Sequence, residues 1–575
     1  MDKKEIAKRL NEIAVLLELK GENPFKCNAY RNAARKIESL EKPLEHFQTV
    51  KDVQEIKGIG SSLAEKMFTL IQKGDLPYYH VLKSAIPAGL IQMLEIPGFG
   101  PKKTRVVYEK LGISTVGELE YACRENRLLD LPGFGAKTQD NILKGIDYLK
   151  KARGHFHLFE ARLAADRILE SLSSLSSVDR IEIAGSLRRS REIVKDIDLL
   201  ASASASKAIM EAFTKHPQVE RILARGETKS SVRLHLGINV DLRVVTGEQF
   251  PFALMYFTGS KEHNVTLRGR ALRQGYKLNE YGLFPRNSEK SEQMKNEKEV
   301  FQRLGLSYIP PELREDRGEI EAAEKGALPR LITYQDLKGI FHVHTPYSDG
   351  VATISDYVTD CQKRGWHYLG ISDHSRSAYY ANGLSIEKIE RQHAEIDDLN
   401  KNLRDFRIFK GIESDILPDG SLDYPEEILA RFDFIIASVH SKFKMPEAEM
   451  TRRIIGAIEN PYTTMLGHPT GRLLLAREGY EVDMDAIIRS AAENDVIIEL
   501  NANPFRLDID WRHLKKAIAA GVLISINPDA HRLENMEYAE LGTAMARKGW
   551  CEASHIFNTR STSEVVSYLR SKHKN

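Results

Sequence analysis

Two groups of residues in this 575-residue sequence could do chemistry. The first is made of carboxylates. Asp196 and Asp198 stand two apart in KDIDLLAS, and Asp241 follows in NVDLRVV. Both runs are rich in β-branched and apolar residues and read as strands. Residues i and i+2 of a strand face the same side, so Asp196 and Asp198 project together. Three converging carboxylates repel one another and demand a divalent cation, and oxygen-only ligation suits Mg²⁺ or Mn²⁺. Upstream, Gly185-Ser186-Leu187-Arg188-Arg189 offers a Gly-Ser turn at a helix start next to arginines, which suits a triphosphate tail. An isolated Asp-x-Asp is ordinarily a solvated strand face. Here Ile197, Leu199 and Leu200 mark the strand as buried.

The second group is rich in imidazole. His342-x-His344 closes one short apolar run, with Asp349 five residues on. His374, Glu413, His440, His468 and the pair Asp529 and His531 each follow a further apolar run. Imidazole and carboxylate together are ligands for Zn²⁺, Mn²⁺ or iron. A lone histidine is usually a hydrogen-bonded core or surface residue. Nine ligand-type residues, each at the C-terminal end of an expected strand, indicate metal binding instead. His367, His393, His513, His555 and His573 lie in helical or terminal segments and are read as structural or solvated.

A third signal is a repeat. IKGIG (56–60), IPGFG (96–100) and LPGFG (131–135) recur at spacings of 40 and 35 residues, each ahead of a helix-like segment. The pairs Gly58/Gly60, Gly98/Gly100 and Gly133/Gly135 allow a tight turn that aims free N–H groups outward from a helix start, an arrangement that accepts phosphate.

The elements that must position these residues fall into blocks. Residues 1–150 read as short helices; DKKEIAKRLNEIAVLLEL places Ile6, Leu10, Ile13 and Leu17 at helical spacing. Residues 155–250 mix strands and helices. From 337 onward a strand-then-helix phrase repeats seven times, which indicates a parallel α/β barrel with its polar residues at the strand ends. The charged stretch 312–330 reads as a linker. The expected domains are therefore 1–80, 81–150, 151–250, 251–315, a linker 316–336, and 337–575.

Composition bounds the answer. At 42% hydrophobic and 29% charged residues the chain is an ordinary globular protein, and its length exceeds a single core. No run of about 18 apolar residues would span a bilayer, and the start lacks a signal peptide. Four scattered cysteines fit a reduced, cytoplasmic chain. The net charge of +2 hides an asymmetry: 54 Lys+Arg against 46 Asp+Glu up to residue 336, then 29 against 35. The front suits a polyanion; the back suits cations.

The carboxylate block resembles the family X DNA polymerases, of which DNA polymerase beta is the best-known type. The resemblance spans about residues 1–315 and rests on GSLRRSREIVKDIDLL, RGETKSSVRL, NVDLRVV and YFTGS with Asn264 and Arg268. It implies an α+β nucleotidyltransferase palm, a thumb, and α-helical lyase-like and helix-hairpin-helix domains. It further implies that Asp196 and Asp198 bind two catalytic metals, and that Asp241 binds the metal at the primer end. Ser186, Arg189 and Gly259 would hold the nucleotide's triphosphate side. Tyr256 and Phe257 would abut its sugar, and Asn264 and Arg268 would reach the nascent base pair. NAYRNAA (28–34) and GIGSSLAEKM (58–67) match the lyase domain, with Lys66 at the Schiff-base position. Where the vertebrate enzyme has a further phosphate-binding lysine, this chain has Ser62.

The histidine block resembles the PHP (polymerase and histidinol phosphatase) domain, a distorted α/β barrel with three divalent metals, Zn²⁺ and/or Mn²⁺. The resemblance implies that His342, His344, Glu413 and Asp529 share one metal. Glu413, His440 and His468 would share a second, and Asp349, His374 and His531 a third. Many PHP members have histidine where this chain has Asp349. Together the two resemblances describe a multidomain bacterial or archaeal family X polymerase with a C-terminal PHP domain. Its expected partners are gapped or nicked DNA and dNTP, with no membrane, and the expected state is a monomer. The expected activities are gap filling and metal-dependent 3′-5′ exonuclease, with abasic-site endonuclease or 3′-phosphatase activity in addition. Two alternatives stand beside this reading: a polymerase with a purely structural PHP domain, and a phosphomonoesterase acting on a small substrate.

Overall fold

The computed structural model describes the chain except residues 1, 39, 41, 42, 130, 151–153, 204 and 573–575, and side chains are not described at 148–150. The chain forms two compact units, Met1–Leu149 and Lys150–Asn575.

The first unit is helical. Its core gathers Ile6, Leu10, Ile13 and Leu17 from the opening helix Lys3–Leu19, together with Tyr30, Met67, Met93 and Phe99. The expected helical spacing is therefore the buried face of that helix. The three Gly-x-Gly phrases form the same turn each time. Ile59, Phe99 and Phe134 each donate a backbone N–H to the carbonyl three residues back, at 3.0 Å. The first glycine of each pair has positive φ (83°, 76° and 83°), which a side chain would strain. The second opens the following helix, Ser61–Lys73, Pro101–Leu111 or Ala136–Lys150.

The second unit begins with a five-stranded sheet. Its strands are β1 (Val178–Ile183), β2 (Asp196–Ala203), β3 (Val219–Arg225), β4 (Lys229–Leu234) and β5 (Asn239–Val245). The spatial order is β1-β2-β5-β4-β3, with β2 and β5 parallel and the other pairings antiparallel. Ile197, Leu199, Ala201, Val240 and Leu242 put one face of the sheet into the core, under the helix Leu158–Ser173. A smaller core follows, built by the helices Phe250–Thr258, Lys261–Arg273 and Glu297–Arg303 and the hairpin Tyr276–Asn279/Gly282–Pro285.

Residues 316–336, expected as a linker, are folded. They carry a helix, Glu319–Glu324, whose Ile320 and Ala323 are buried in this smaller core. The charge of the segment hid that pattern. Glu319 is itself fully buried and meets the equally buried His263 at 2.7 Å.

The last region is a nearly closed parallel barrel. Its strands are β6 (Gly339–Val343), β7 (Tyr368–Ile371), β8 (Arg407–Asp415), β9 (Phe434–Ser438), β10 (Met465–Leu466), β11 (Ile497–Asn501) and β12 (Ile524–Asn527), in sequential order. Bridging between Val343 and Ala530 brings the last strand's end back to the first. Phe341, Tyr368, Phe409, Phe434 and Phe557 fill one end of the interior. Gly370 and Gly411 make room for them: a Cβ at either would lie 2.3 Å or less from Phe341 or Phe434. The opposite end, at the strands' carboxyl termini, holds the histidines. No helix among the described residues is long and apolar enough to cross a membrane.

Candidate functional sites

The carboxylate site lies where β2 and β5 run side by side. Asp198 is the register partner of Asp241, and Asp196 shares its face two residues earlier. The parallel pairing thus brings together two segments more than forty residues apart. Burial, and then the charges of Asp196 and Asp241, push Asp198 up to about 6. Lys229 on β4 answers Asp241 at 2.7 Å. That lysine lies within RGETKSSVRL, and sequence reasoning gave it no role. An oxygen-only cluster whose central carboxylate is raised by burial and by its neighbours' charges is a donor set that fits a divalent cation.

The Gly-Ser-x-Arg-Arg phrase sits against this cluster. It forms a short helix, Gly185–Arg188, directly after β1. Gly185 has φ +64°, and a Cβ there would lie 2.2 Å from Asp198 Oδ2. Any other residue would displace that carboxylate. Ser186 is half-buried on the same turn. Arg188 turns away: it pairs with Glu297 at 2.7 Å and donates to Thr258 Oγ1 at 2.6 Å. Arg189 donates to the carbonyl of Thr258, next to Gly259, and to Glu315 at 3.2 Å. Tyr256 and Phe257 pack edge to face, 5.4 Å apart. Asn264 donates to the carbonyl of Tyr256 at 2.7 Å, and Arg268 is exposed on the same helix.

In the helical unit, Lys66 lies on Ser61–Lys73, 4.6 Å from the Tyr78 ring and 3.3 Å from Ser62 Oγ. Burial, and then Lys26, lower its pKa. Among the described residues, no atom lies within 4 Å of a Cβ built at Gly60, Gly98, Gly100, Gly133 or Gly135. At Gly58 such a Cβ would lie 2.8 Å from Lys36 Nζ.

The barrel site is a buried cluster of imidazoles and carboxylates. Glu413, on β8, is its hub. Its carboxylate meets His342 at 3.3 Å, His374 at 2.8 Å, His440 at 3.2 Å and His468 at 2.9 Å. His344 meets Asp529 at 3.2 Å, and Asp349 meets His374 at 3.6 Å and His531 at 3.4 Å. Among the described residues of this unit, ligand atoms converge in three overlapping groups: His344, Asp349, His374 and His531; His342, His344 and Asp529; His374, Glu413 and His440. His344 and His374 each belong to two groups, a sharing absent from the division the PHP resemblance implies.

The backbone is shaped for this. A register break between β6 and β7 falls between Ile340 and Val343, and His342 has φ +62°. The bulge re-aims its side chain. His468 and Asp529 also adopt positive φ, a strained conformation typical of functional sites.

The electrostatics divide the set. His344 is held down to about 3, by burial and by His531 and His374. His440 rises to about 9 despite burial, because Glu413 and Asp415 face it. Buried and without a hydrogen bond are His342 Nε2, both ring nitrogens of His344 and of His374, His440 Nε2, Asp349 Oδ2 and Glu413 Oε2. Orphaned ring nitrogens and carboxylate oxygens aimed at one another fit a multinuclear metal centre.

Sequence reasoning missed the residues that orient these ligands. Glu499 accepts from His342 Nδ1 at 2.5 Å, from the His468 N–H at 2.7 Å and from Asn527 at 2.9 Å. Asp415 meets His440 Nδ1 at 2.7 Å. Asp373 accepts from Thr345 and Gln392. An acid inside an apolar strand such as VIIELNA was the available signal.

The comparisons agree with this architecture. Residues 1–76 match the helix-hairpin-helix domain model, 90–147 the SAM-like helix-hairpin-helix tandem, 253–315 the DNA polymerase beta thumb and 341–503 the PHP domain. A DNA polymerase/3′-5′ exonuclease PolX of Bacillus subtilis (strain 168) is 38% identical over 572 residues, covering 99% of this chain and all of that protein. The chain belongs to the PolX family of polymerase-exonucleases. Shorter proteins also resemble part of this PolX-family chain. A probable phosphatase of Thermoanaerobacter sp. (strain X514) is 26% identical over 248 residues, 40% of this chain and 94% of its own length. A probable phosphatase of Caldicellulosiruptor saccharolyticus is 31% identical over 206 residues, 33% of this chain and 78% of its own.

Proposed function

We propose that this chain extends DNA at short gaps with its front half and trims DNA 3′ ends with its barrel, as a repair enzyme with two opposed chemistries. The observation that carries the reading is the presence of two chemically distinct clusters of possible metal-ligating side chains in one chain. One is an oxygen-only carboxylate cluster beside an arginine-bearing Gly-Ser turn; the other is a buried imidazole-carboxylate cluster.

At the first site, Mg²⁺ or Mn²⁺ held by Asp196, Asp198 and Asp241 would supply charge stabilisation at the attacking and leaving oxygens. The chain's own residues do the positioning. Ser186, Arg189 and the turn at Gly259 receive the triphosphate. Tyr256 and Phe257 form a wall against the sugar, and Asn264 and Arg268 face the base pair. Lys66, beside Tyr78 and with its pKa lowered, is the candidate nucleophile for 5′-deoxyribose phosphate. The Gly-x-Gly turns hold DNA backbone through N–H groups, without reading sequence.

At the second site, three divalent ions, Zn²⁺ and/or Mn²⁺, would be held by His342, His344, Asp349, His374, Glu413, His440, His468, Asp529 and His531. They would supply Lewis acidity for phosphodiester hydrolysis. Glu499 and Asp415 hold the ligands in place. The likeness to probable phosphatases supports hydrolysis of phosphate esters at this barrel.

A time course on 5′-phosphorylated gapped DNA with Mn²⁺ tests the reading. Without dNTP the primer shortens; with dNTP it lengthens to the gap's end. A primer that never shortens would leave the barrel a structural part of a polymerase only.

A further inference from the structure

The carboxylate site and the barrel belong to one compact unit, and one buried lysine joins them. Lys548 ends the helix Tyr538–Lys548 on the outside of the barrel. Its side chain is fully buried. Its Nζ donates to Glu315 Oε1 at 2.6 Å, to the carbonyl of Arg189 at 2.9 Å and to the carbonyl of Glu312 at 3.4 Å. Next to it, Arg547 donates to Glu312 Oε1 at 2.7 Å. A barrel residue thus grips the arginine turn of the nucleotide site directly.

Glu315 is the shared partner. The Oε1 that Lys548 holds also accepts from Arg189 Nε at 3.2 Å, while Arg191 approaches Oε2 at 3.6 Å. Against the burial that raises it, Lys548 and then Arg189 hold this carboxylate below its ordinary range. Burial in turn pulls Lys548 down to about 8. Burying a lysine costs stability unless the pair is well matched, so such a pair is weak evidence of a stabilising role. Its geometry is more informative. With Lys548 present, Glu315 divides its charge between Lys548 and Arg189 on Oε1, with Arg191 farther off at Oε2. Without it, Arg189 becomes the main answer to a buried carboxylate, and the guanidinium is held back from an incoming triphosphate.

We propose that Lys548 is a positioning residue for nucleotide addition: it shares Glu315 and so keeps Arg189 available to the dNTP. The inference rests on the reading of Arg189 as a triphosphate ligand. The experiment measures KM for dNTP and kcat in single-nucleotide gap filling on the full chain, with the 3′-5′ exonuclease rate as control. Lys548→Met should raise KM about tenfold, the loss of one charge-assisted hydrogen bond, with kcat and exonuclease nearly unchanged. Lys548→Met/Glu315→Gln should bring KM back, because a neutral amide no longer competes for Arg189. An unchanged KM in Lys548→Met, or a raised KM that the double variant fails to restore, overturns the proposal. Arg189→Ala separates the two layers. If it too leaves KM unchanged, the reading of Arg189 falls; if it raises KM while Lys548→Met does not, only the inference falls.

Discussion

Gly185 and Glu499 carry the two sites in different ways. Gly185 leaves the space that Asp198 occupies, 2.2 Å from where a Cβ would stand. Gly185→Ala should therefore move Asp198 and lower nucleotide addition by about 100-fold or more, the scale of loss for a misplaced reacting group. Exonuclease activity should stay at the level of the unaltered chain. Full extension by that variant would show that the close approach is irrelevant. Glu499 fixes His342 through its Nδ1. Such a partner is worth about 10–100-fold in metal affinity or activity. Glu499→Gln should show that loss in metal content by elemental analysis and in exonuclease rate, with gap filling intact. The ligands themselves were legible because chemistry restricts their residue types. Their supporting acids were not: Glu499 and Asp415 look like ordinary strand carboxylates until the fold brings them to an imidazole. The positive φ at His342, His468 and Asp529 could not be read from the sequence: histidine and aspartate are enriched there, but most of them still sit in ordinary backbone.

Ion pairs tie the elements together. Arg188 on the Gly185–Arg188 turn and Arg314 both reach Glu297 at the start of the helix Glu297–Arg303. Against the burial that raises it, Arg314 and Arg188 hold Glu297 down to about 2. A depressed carboxylate contributes stability that is complete above its unfolded value, near 4.3–4.5, and is lost as pH falls through the folded value. The unaltered chain should therefore lose thermal stability between pH 4.5 and about 2 more steeply than Glu297→Gln. The variant should be the less stable one at pH 7. Parallel Tm curves across that window would contradict the pairing. Periodicity made the helices and the strand-then-helix barrel readable. It failed at 316–336, where charge suggested a linker, because a helix as short as Glu319–Glu324 has only Ile320 and Ala323 to show for its buried face. The bulge in β6 was likewise hidden, since a register break depends on the neighbouring strand.

At the scale of the whole molecule, a net charge of +2 is a sum of unlike parts. The excess of Lys and Arg up to residue 336 suits the polyanion that the proposed function places there. The excess of acids beyond it includes the carboxylates of the proposed metal centre, whose ions would offset part of that charge. The order of these parts along the chain was legible because each has its own residue vocabulary: glycine pairs, paired aspartates, then histidines at strand ends. Their joining was not, because Lys548 gives no sign in sequence of meeting Glu315 and the Arg189 carbonyl. The central claim is that one chain holds two separable chemistries. Its most direct test assays two variants side by side on one gapped DNA. Asp198→Ala should abolish extension and keep degradation at the rate of the unaltered chain; His344→Ala should abolish degradation and keep extension. Loss of both activities in either folded variant, or of neither in both, would contradict the account.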